Sequence, residues 1–405
     1  MKHTYLLLVA VSFFMNCSDK NKSSNELIYV PLEDILQKEG TGHLSSVASE
    51  IFYIPLETND NSLLRGIAPN IGYLNGNYVI NDGDNIYLFD KDGKYIRQIA
   101  QKGGGPSDYL SIQNIVIDPA TNCFYLYSYN KIIKFDEKAN YITHISTDFN
   151  QIRGTIEFFM RGVFTPRKTM IMGLMNNVVQ HDNAATVYNA VEIDTLGNII
   201  KKFINHSPRY ARQTSMQINS FNTSIYVSNN DVRFLDFGND TIFSVMDDFM
   251  KPYAVLDLGN NKANLILDLK TMDANAMYEA QNNLSGHVIM KVLENGNYFF
   301  IGLTKKGMSN NIIYCLYDKK TKELKLLKDN ALINDLDGSI PFFPQQVIKD
   351  NELISTISAE KFKEEVLSKD YNEQKAKYGE RFEKVYQLAK SLKDDDNPVL
   401  IIAKE

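Results

Sequence analysis

The chain has 405 residues, of which 44% are hydrophobic, and it carries 43 Lys and Arg against 49 Asp and Glu, for a net charge of −6. Its charges of both signs are mixed along the chain, so it lacks the basic field that nucleic-acid binding requires, and nucleic acid is excluded as a partner. The length and the apolar fraction suffice for a large folded core.

Residues 1–16 have the features of a secretory signal peptide. Lys2 and His3 form a short basic start, residues 5–15 are mostly apolar, and Asn16-Cys17-Ser18 follows where cleavage would occur. A helix needs about 20 apolar residues to cross a bilayer, so this run favours a cleaved signal over a transmembrane anchor. No later stretch is long and apolar enough to predict a membrane span.

Cys17 determines which kind of signal this is. A lone Cys after the apolar run and before the polar residues 18–25 resembles the lipobox of bacterial lipoproteins, whose Cys sulfur receives a diacylglyceryl group. Phe14-Met15-Asn16 departs from the small residues usual there, so an ordinary cleaved signal stays open. We expect lipid attachment at Cys17, a flexible tether over 17–26 and a folded domain over 27–405. The predicted location is the cell envelope, at the outer membrane, with the periplasmic or surface side left open.

The folded part consists of repeated short strand patterns. Runs rich in Tyr, Ile, Val and Phe are separated by Asn, Asp and Gly, which is typical of strands and turns. A first copy covers 77–99, with a hairpin turn at Gly93, and further copies cover 123–145, 189–203, 224–245 and 298–327. Repeats of about 40 to 50 residues with about four strands each indicate β-propeller blades, with a β-sandwich as the alternative. The run 399–402 is predicted to return as the last strand of the ring.

Two segments depart from the strand pattern. Residues 262–283 place apolar side chains at steps of three and four, which predicts an amphipathic helix. Residues 360–393 do the same and predict a long charged helix that ends before Asn397-Pro398. Such a helix is able to dock a partner, but packing along its own domain is the favoured interpretation.

Residues 103–109, Gly-Gly-Gly-Pro-Ser-Asp-Tyr, closely resemble the Gly-x-Gly-Pro-Gly-Glu-Tyr motif of the six-bladed β-propeller lipoproteins of Bacteroidetes, which are distant in sequence from the NHL-repeat propellers. Ser107 and Asp108 replace Gly and Glu of that motif. Stretches at 54–58, 238–243 and 396–400 extend the similarity over nearly the whole mature chain. The resemblance implies an all-β, six-bladed propeller and a lipid anchor, and it implies little about chemistry.

No pattern predicts a catalytic, cofactor or metal-binding residue. The glycines of 103–105 lack the ending of a phosphate loop and favour a tight connection between blades, and Asp394 to Asp396 lack the spacing of a calcium loop. The five histidines of the mature chain are not at metal-ligand spacing, and there is no Gly-x-Ser-x-Gly elbow. Cys123 and Cys315 lie in apolar runs and suit core positions, with a disulfide between them left open.

Two functions remain compatible with these features. The first is a binding module of the cell envelope, for a glycan or protein ligand held by loops at one end of the propeller. The alternative is a metal-dependent hydrolase or lyase with its site at the propeller axis, which requires polar side chains from several blades to converge there. The fold alone cannot decide between them, and the first is the favoured hypothesis.

Overall fold

The computed structural model describes residues 26–34, 39–66, 71–128, 131–146, 158–175, 188–204, 215–217, 224–264, 266–268, 285–304, 311–348 and 352–405. Numbered along the chain, the strands of this described part are β1 Ile28–Pro31, β2 Glu39–Gly40, β3 Glu50–Pro55, β4 Gly72–Leu74, β5 Asn77–Asn81, β6 Asn85–Phe89, β7 Tyr95–Gln101, β8 Ile112–Ile117, β9 Phe124–Ser128, β10 Lys131–Phe135, β11 Tyr141–Ser146, β12 Phe158–Phe164, β13 Met170–Met175, β14 Tyr188–Ile193, β15 Ile199–Ile204, β16 Ser215–Gln217, β17 Ser224–Ser228, β18 Asp231–Leu235, β19 Thr241–Val245, β20 Met250–Asp257, β21 Ile266–Asp268, β22 Ile289–Glu294, β23 Tyr298–Thr304, β24 Ile312–Asp318, β25 Leu324–Leu327, β26 Gln346–Ile348, β27 Glu352–Ile357 and β28 Val399–Lys404.

The strands form a six-bladed β-propeller, as the sequence predicts. From the innermost to the outermost strand, blades 1 to 6 are β4-β5-β6-β7, β8-β9-β10-β11, β12-β13-β14-β15, β17-β18-β19-β20, β22-β23-β24-β25 and β26-β27-β28-β3. The innermost strands of successive blades lie beside one another around the axis. Two short N-terminal strands extend the outer edges: β1 pairs parallel with β20 of blade 4, and β2 pairs parallel with β25 of blade 5.

Blade strands are buried on both sides, which explains their composition. All five residues of β9 are buried, as are the last four of β6, because each sheet is covered by a neighbouring blade on either face. Between blades 1 and 2, Phe124 and Phe135 stack with ring centroids 4.6 Å apart, within an apolar cluster that includes Leu88. Continuous apolar runs therefore replace the alternating pattern of a half-exposed sheet.

The ring closes through strands from the two ends of the chain. β28 lies between β27 and β3, with Leu400 opposite Ile54 and Ile402 opposite Phe52. This confirms the predicted closing strand at 399–402. On the inner side, Gln346 of blade 6 donates from Nε2 to the Ile71 carbonyl at 2.8 Å and accepts from the Ile71 amide at 3.0 Å, which joins blade 6 to blade 1.

The two ends of the propeller differ in their connections. At one end, which we call the hairpin face, turns join the first strand to the second and the third to the fourth within each blade. The opposite end, the cap face, carries the connections between blades and those between second and third strands. The hairpin-face turns of blades 1 to 5 cover 75–76, 90–94, 118–123, 136–140, 165–169, 194–198, 229–230, 246–249, 295–297 and 319–323. The described cap-face connections include 56–66, 82–84, 102–111, 258–264, 328–345 and 358–398.

Three α-helices lie on the cap face between β27 and β28: α1 Ala359–Leu367, α2 Tyr371–Tyr378 and α3 Glu380–Ser391. The helical stretch predicted over 360–393 is confirmed, but it is divided into three helices, because Asp370 caps a new helix by accepting the Glu373 amide at 2.8 Å and Gly379 separates α2 from α3 with φ of +62°. Along the described residues, no helix has the length and hydropathy needed to span a bilayer.

Of the helix predicted over 262–283, the structure describes residues 262–264 and 266–268, and these six residues are not helical. Lys262 forms an isolated bridge with His287, and β21 pairs antiparallel with β16. Pairing with a segment distant in sequence thus prevails over the helical spacing of apolar residues. Residues 269–283 lie outside the described residues.

Candidate binding site at the cap face

The glycine motif forms a closed loop between blades 1 and 2, as predicted for residues 103–105. The loop is closed by two backbone hydrogen bonds, from Gly103 N to Tyr109 O at 3.0 Å and from Tyr109 N to Gln101 O at 3.1 Å. None of its glycines has a positive φ, so left-handed backbone is not the reason for them. The glycines are required because the Asp108 side chain approaches the loop closely. A Cβ on Gly103 would lie 2.5 Å, and one on Gly105 2.8 Å, from a carboxylate oxygen of Asp108.

Asp108 and Lys131 fix the shape of this loop. The Asp108 carboxylate accepts the Gly105 amide at 2.9 Å, and Lys131 Nζ donates to the carbonyls of Gly105 at 3.1 Å and Pro106 at 3.3 Å. The acidic residue of the motif therefore stabilises the conformation of the loop. Gly104 has open space around its Cα, so the tip of the loop is available to a ligand.

Tyr109 contributes a buried hydroxyl to the same place. Its side chain is fully buried in the apolar cluster between blades 1 and 2, and its hydroxyl has no hydrogen-bond partner among the described residues. Burial raises the pKa of Tyr109, and the nearby carboxylates of Asp82 and Asp84 add to this effect. An unpartnered buried hydroxyl costs about 1–3 kcal/mol, and because this atom is shielded from solvent it lowers the free energy of unfolding.

Two other cap-face connections contact the one that contains the glycine loop. Asp82 Oδ1 accepts the amides of Asp84 at 3.0 Å and Asn85 at 2.6 Å, which orders the tight connection between β5 and β6. The Asp84 carbonyl accepts the Lys102 amide at 2.9 Å, and its carboxylate pairs with the guanidinium of Arg65. Connections 56–66, 82–84 and 102–111 thereby form one continuous surface.

Two of these connections each carry an exposed leucine. The side chain of Leu63 is 61% exposed and that of Leu110 is 53% exposed. We define the cap-face site as Leu63, Arg65, Asp84, Gly104 and Leu110. It combines two apolar side chains with a cation and a carboxylate, a mixture that resembles the rim and anchors of a protein–protein contact.

The helices beside this site rest on a buried polar network. Tyr53 donates to Asp337 at 2.9 Å and is 2.6 Å from the Ser339 hydroxyl, while Asn334 Nδ2 donates to Asp337 at 2.8 Å. Burial raises the pKa of Asp337 above its ordinary value, although its hydrogen bonds oppose the shift. Arg381 of α3 also donates to the Leu336 carbonyl at 3.3 Å, so the helices are held to the connection before blade 6.

The other residues considered from the sequence do not converge on a site. Asp394 pairs with Lys363 at 2.5 Å, and the Asp396 carboxylate accepts the Lys393 amide at 2.8 Å, so both serve the end of α3. Nδ1 of His287 contacts the Thr304 carbonyl at 2.5 Å. Cys17, His181 and His206 lie outside the described residues. Within the described ranges, no three His, Cys, Asp or Glu residues form a group able to hold a metal ion.

Neither cysteine in the blades forms a disulfide. Cys315 is buried in blade 5, and burial raises the pKa of its thiol to about 12. Cys123 is free and partly buried at the end of a hairpin-face turn, where it packs against the edge of the core cluster between blades 2 and 3.

A buried ionic cluster between blades 4 and 5 was not foreseen from the sequence. The fully buried Glu294 carboxylate pairs with Lys319 at 2.7 Å and accepts hydrogen bonds from Tyr226 at 2.9 Å and Tyr253 at 2.8 Å. The Arg233 guanidinium lies 3.6 Å from the centroid of the Tyr253 ring. Its members are distant in sequence and share no motif, so no local signal marks them. The arrangement joins two blades through charge.

A family model matches the chain over residues 27–404. The chain belongs to the family described as domain of unknown function DUF4934. Among solved structures, a protein of Bacteroides fragilis described as exported is 17% identical, with a TM-score of 0.65 over 94% of this chain and all of that one. A member of the DUF4221 family from Bacteroides vulgatus is 11% identical, with a TM-score of 0.46 over 69% of this chain and 84% of that one. The first likeness supports the propeller fold. No curated protein matches the chain in sequence.

Proposed function

We propose that this DUF4934 protein is an exported, lipid-anchored binding module of the cell envelope that takes a protein ligand at the cap-face site. The observation that carries the proposal is the asymmetry between the two ends of the propeller. Tight turns close the hairpin face, whereas the long connections, the helices and the glycine loop all belong to the cap face. Long loops positioned by a rigid scaffold are where binding residues concentrate.

The chemistry of the described cap face favours a protein over a glycan. Sugars bind best against exposed aromatic rings, whereas the exposed large apolar side chains of the cap-face site are Leu63 and Leu110. The Arg65–Asp84 pair joins the connection of Leu63 to connection 82–84 and supplies both charges for a polar rim. No observation in the described residues favours the metal-dependent alternative.

The export and anchor parts of the proposal rest on the sequence. The signal-like residues 1–16 and the lipobox-like context of Cys17 support them, and the Bacteroides fragilis protein of the same fold is described as exported. Metabolic labelling with an alkyne fatty acid tests the anchor. We expect label on the wild-type chain and its complete loss in Cys17→Ala; an unlabelled wild-type chain would refute the anchor.

Site-specific photo-crosslinking in cells tests the ligand site. A benzoylphenylalanine is placed at Leu63 or at Leu110, and the matched control carries it at Ile142, which is 47% exposed on the outer strand of blade 2. We expect discrete protein adducts from both cap-face positions and none from Ile142.

The proposal also requires that the yield of adducts depend on the charge at position 84. Asp84→Lys places a cation beside Arg65, so it should lower the adduct yield at Leu110 at least several-fold while folding is retained. The proposed site would be contradicted if position Ile142 gave as many adducts as the cap-face positions, or if Asp84→Lys left the adduct yield unchanged. Adducts made of glycan would reject the protein assignment.

A further inference from the structure

Four hairpin-face turns share one construction, and one of them differs at its tip. In blades 1, 2, 3 and 5 an Asp at the end of the third strand accepts, through Oδ1, the amide of the residue two positions later at 2.8–2.9 Å. These acceptors are Asp90, Asp136, Asp194 and Asp318. The residues at the tip are Asp92, Lys138, Leu196 and Lys320.

Leu196 is therefore not required by its turn. The backbone geometry comes from the Asp at the start of the turn, and the tip side chain is free to be charged, as it is in the other three blades. Leu196 is nevertheless apolar and 76% exposed, the highest value among the exposed large apolar residues of the described chain. A side chain that neither packs nor shapes its turn is available for contact with another surface.

The neighbouring turn of blade 4 has an exposed apolar residue at each end and two acidic residues between them. Met246 and Phe249 bound this turn and are 40% and 57% exposed. The two acidic residues between them are paired with blade 3: Asp248 with Lys201 at 2.7 Å, and Asp247 with Arg167. These ion pairs hold the turn of blade 4 against blade 3, so Leu196, Met246 and Phe249 belong to one region of the hairpin face, which we call the hairpin-face patch.

The N-terminal strand enters the fold on the same side. β1 pairs parallel with β20, which begins at Met250 directly after this turn of blade 4. The chain therefore reaches Ile28 from the hairpin side of blade 4, and Leu27 is 48% exposed there. Residues 17–26 reach at most roughly 35 Å when fully extended, so a lipid on Cys17 keeps this part of the propeller close to the bilayer.

We infer that the hairpin-face patch of blades 3 and 4 rests on the lipid bilayer and inserts Leu196, Met246 and Phe249 into its surface. This inference rests on the proposed lipid anchor, which brings the patch to the membrane. Apolar tips on neighbouring turns suit the interface between headgroups and acyl chains, and the exposed carboxylates of Asp247 and Asp248 stay in the hydrated headgroup layer beside Arg167 and Lys201. The cap-face site then faces away from the membrane.

The test uses the chain from Ser18 onward, which lacks Cys17 but retains every described residue, with vesicles of phosphatidylethanolamine and phosphatidylglycerol. The chain has no Trp, so Phe249→Trp provides a single fluorescent reporter. We expect its emission to shift to shorter wavelength on adding vesicles and to be quenched by brominated lipid. Leu196→Asp combined with Phe249→Asp should lower vesicle partition at least about tenfold, given the apolar area withdrawn from lipid.

A matched control and a competing outcome complete the test. Ile142→Asp removes an exposed apolar side chain elsewhere and should leave vesicle partition unchanged. Unaltered emission of the Phe249→Trp variant with vesicles, or equal partition of the double variant, would overturn the inference. The inference would also be overturned if sedimentation showed a dimer of the wild type and a monomer of the double variant, because the patch would then bind a second copy of the chain. Because Cys17 is absent here, failure of the patch is distinguishable from failure of the lipid anchor, which fatty-acid labelling reports.

Discussion

Gly338, in the connection that precedes blade 6, lies directly against the aromatic ring of Tyr378 in α2. Its φ is +74°, a left-handed backbone that favours glycine. The contact leaves no room for a Cβ, and it joins the helices to the connection that contains the buried Asp337. The position of the helices on the cap face therefore depends on the absence of one side chain.

Replacing this glycine should loosen the helices. Gly338→Ala adds a Cβ that overlaps the Tyr378 ring, and it imposes backbone strain, so we expect a loss of about 2–4 kcal/mol in the free energy of unfolding. Gly76→Ala is the control, because φ is +85° there but the nearest atom to a Cβ is 4.0 Å away. It should lose only about 1 kcal/mol. If urea denaturation showed the same loss of unfolding free energy for both variants, the contact between Gly338 and Tyr378 would not contribute to stability.

The unpartnered hydroxyl of Tyr109 gives an unusual expectation for a buried tyrosine. Tyr109→Phe removes a polar atom that has no partner among the described residues, so the free energy of unfolding should rise by up to about 1–3 kcal/mol. Tyr53→Phe removes the hydroxyl that bonds Asp337 and Ser339, and should cost about 1–3 kcal/mol. If Tyr109→Phe costs as much as Tyr53→Phe, the Tyr109 hydroxyl has a strongly held partner, such as an ordered water.

Asp337 should make folding less sensitive to acid. Its pKa is raised in the folded state above the ordinary 3.8 by burial, so its contribution to stability is complete below that value and is lost as the pH rises through the folded pKa. Each unit of upward shift corresponds to about 1.4 kcal/mol. Relative to Asp337→Asn, which does not ionise, the wild type should therefore gain stability as the pH falls from 7 to 3. Urea denaturation at several pH values measures this difference; a constant difference would contradict the raised pKa.

Glu383 of α3 should titrate in the opposite direction. Hydrogen bonds from Lys375, Tyr371 and Gln387 lower its pKa from 4.5 to about 2 in the folded protein. The stabilisation that Glu383 provides is thus present above pH 4.5 and is lost as the pH falls towards 2. Carboxyl carbon NMR should show this low pKa, and Lys375→Met should return it towards its ordinary value. Because the pair is exposed, high salt should have a similar but smaller effect. An ordinary pKa at low salt would exclude the interaction.

The repeated strands were predictable because their signals are local. Runs such as 85–90 and 131–136 combine apolar residues with an Asp that starts a turn, and both the strand and the turn follow from a few neighbouring residues. The closing strand at 399–402 was predictable for the same reason. The glycine loop was placed correctly between blades, although close approach of Asp108 and not left-handed backbone explains its glycines.

What the sequence could not reveal depends on contacts between distant residues. The parallel pairing of β1 with β20 joins residues 28–31 to residues 254–257, and nothing near Ile28 indicates that edge. The Glu294 cluster likewise gathers side chains from four strands and a turn of two blades. The cap-face site is of the same kind, since Leu63, Asp84 and Leu110 come together only when three connections fold against one another.

The position of β28 between β27 and β3 has a consequence for synthesis. Blade 6 receives its third strand only when residues 399–404 have left the ribosome, and until then β3 has no partner in its sheet. Contacts between strands so far apart form slowly, because the ends of a long loop must meet first. A growing chain thus remains without a closed ring until residues 399–404 have emerged, and a product that stops before them would expose the unpaired edge of β27. Residues 399–404 therefore decide whether a truncated chain is able to close its ring, because they alone supply the strand between β27 and β3.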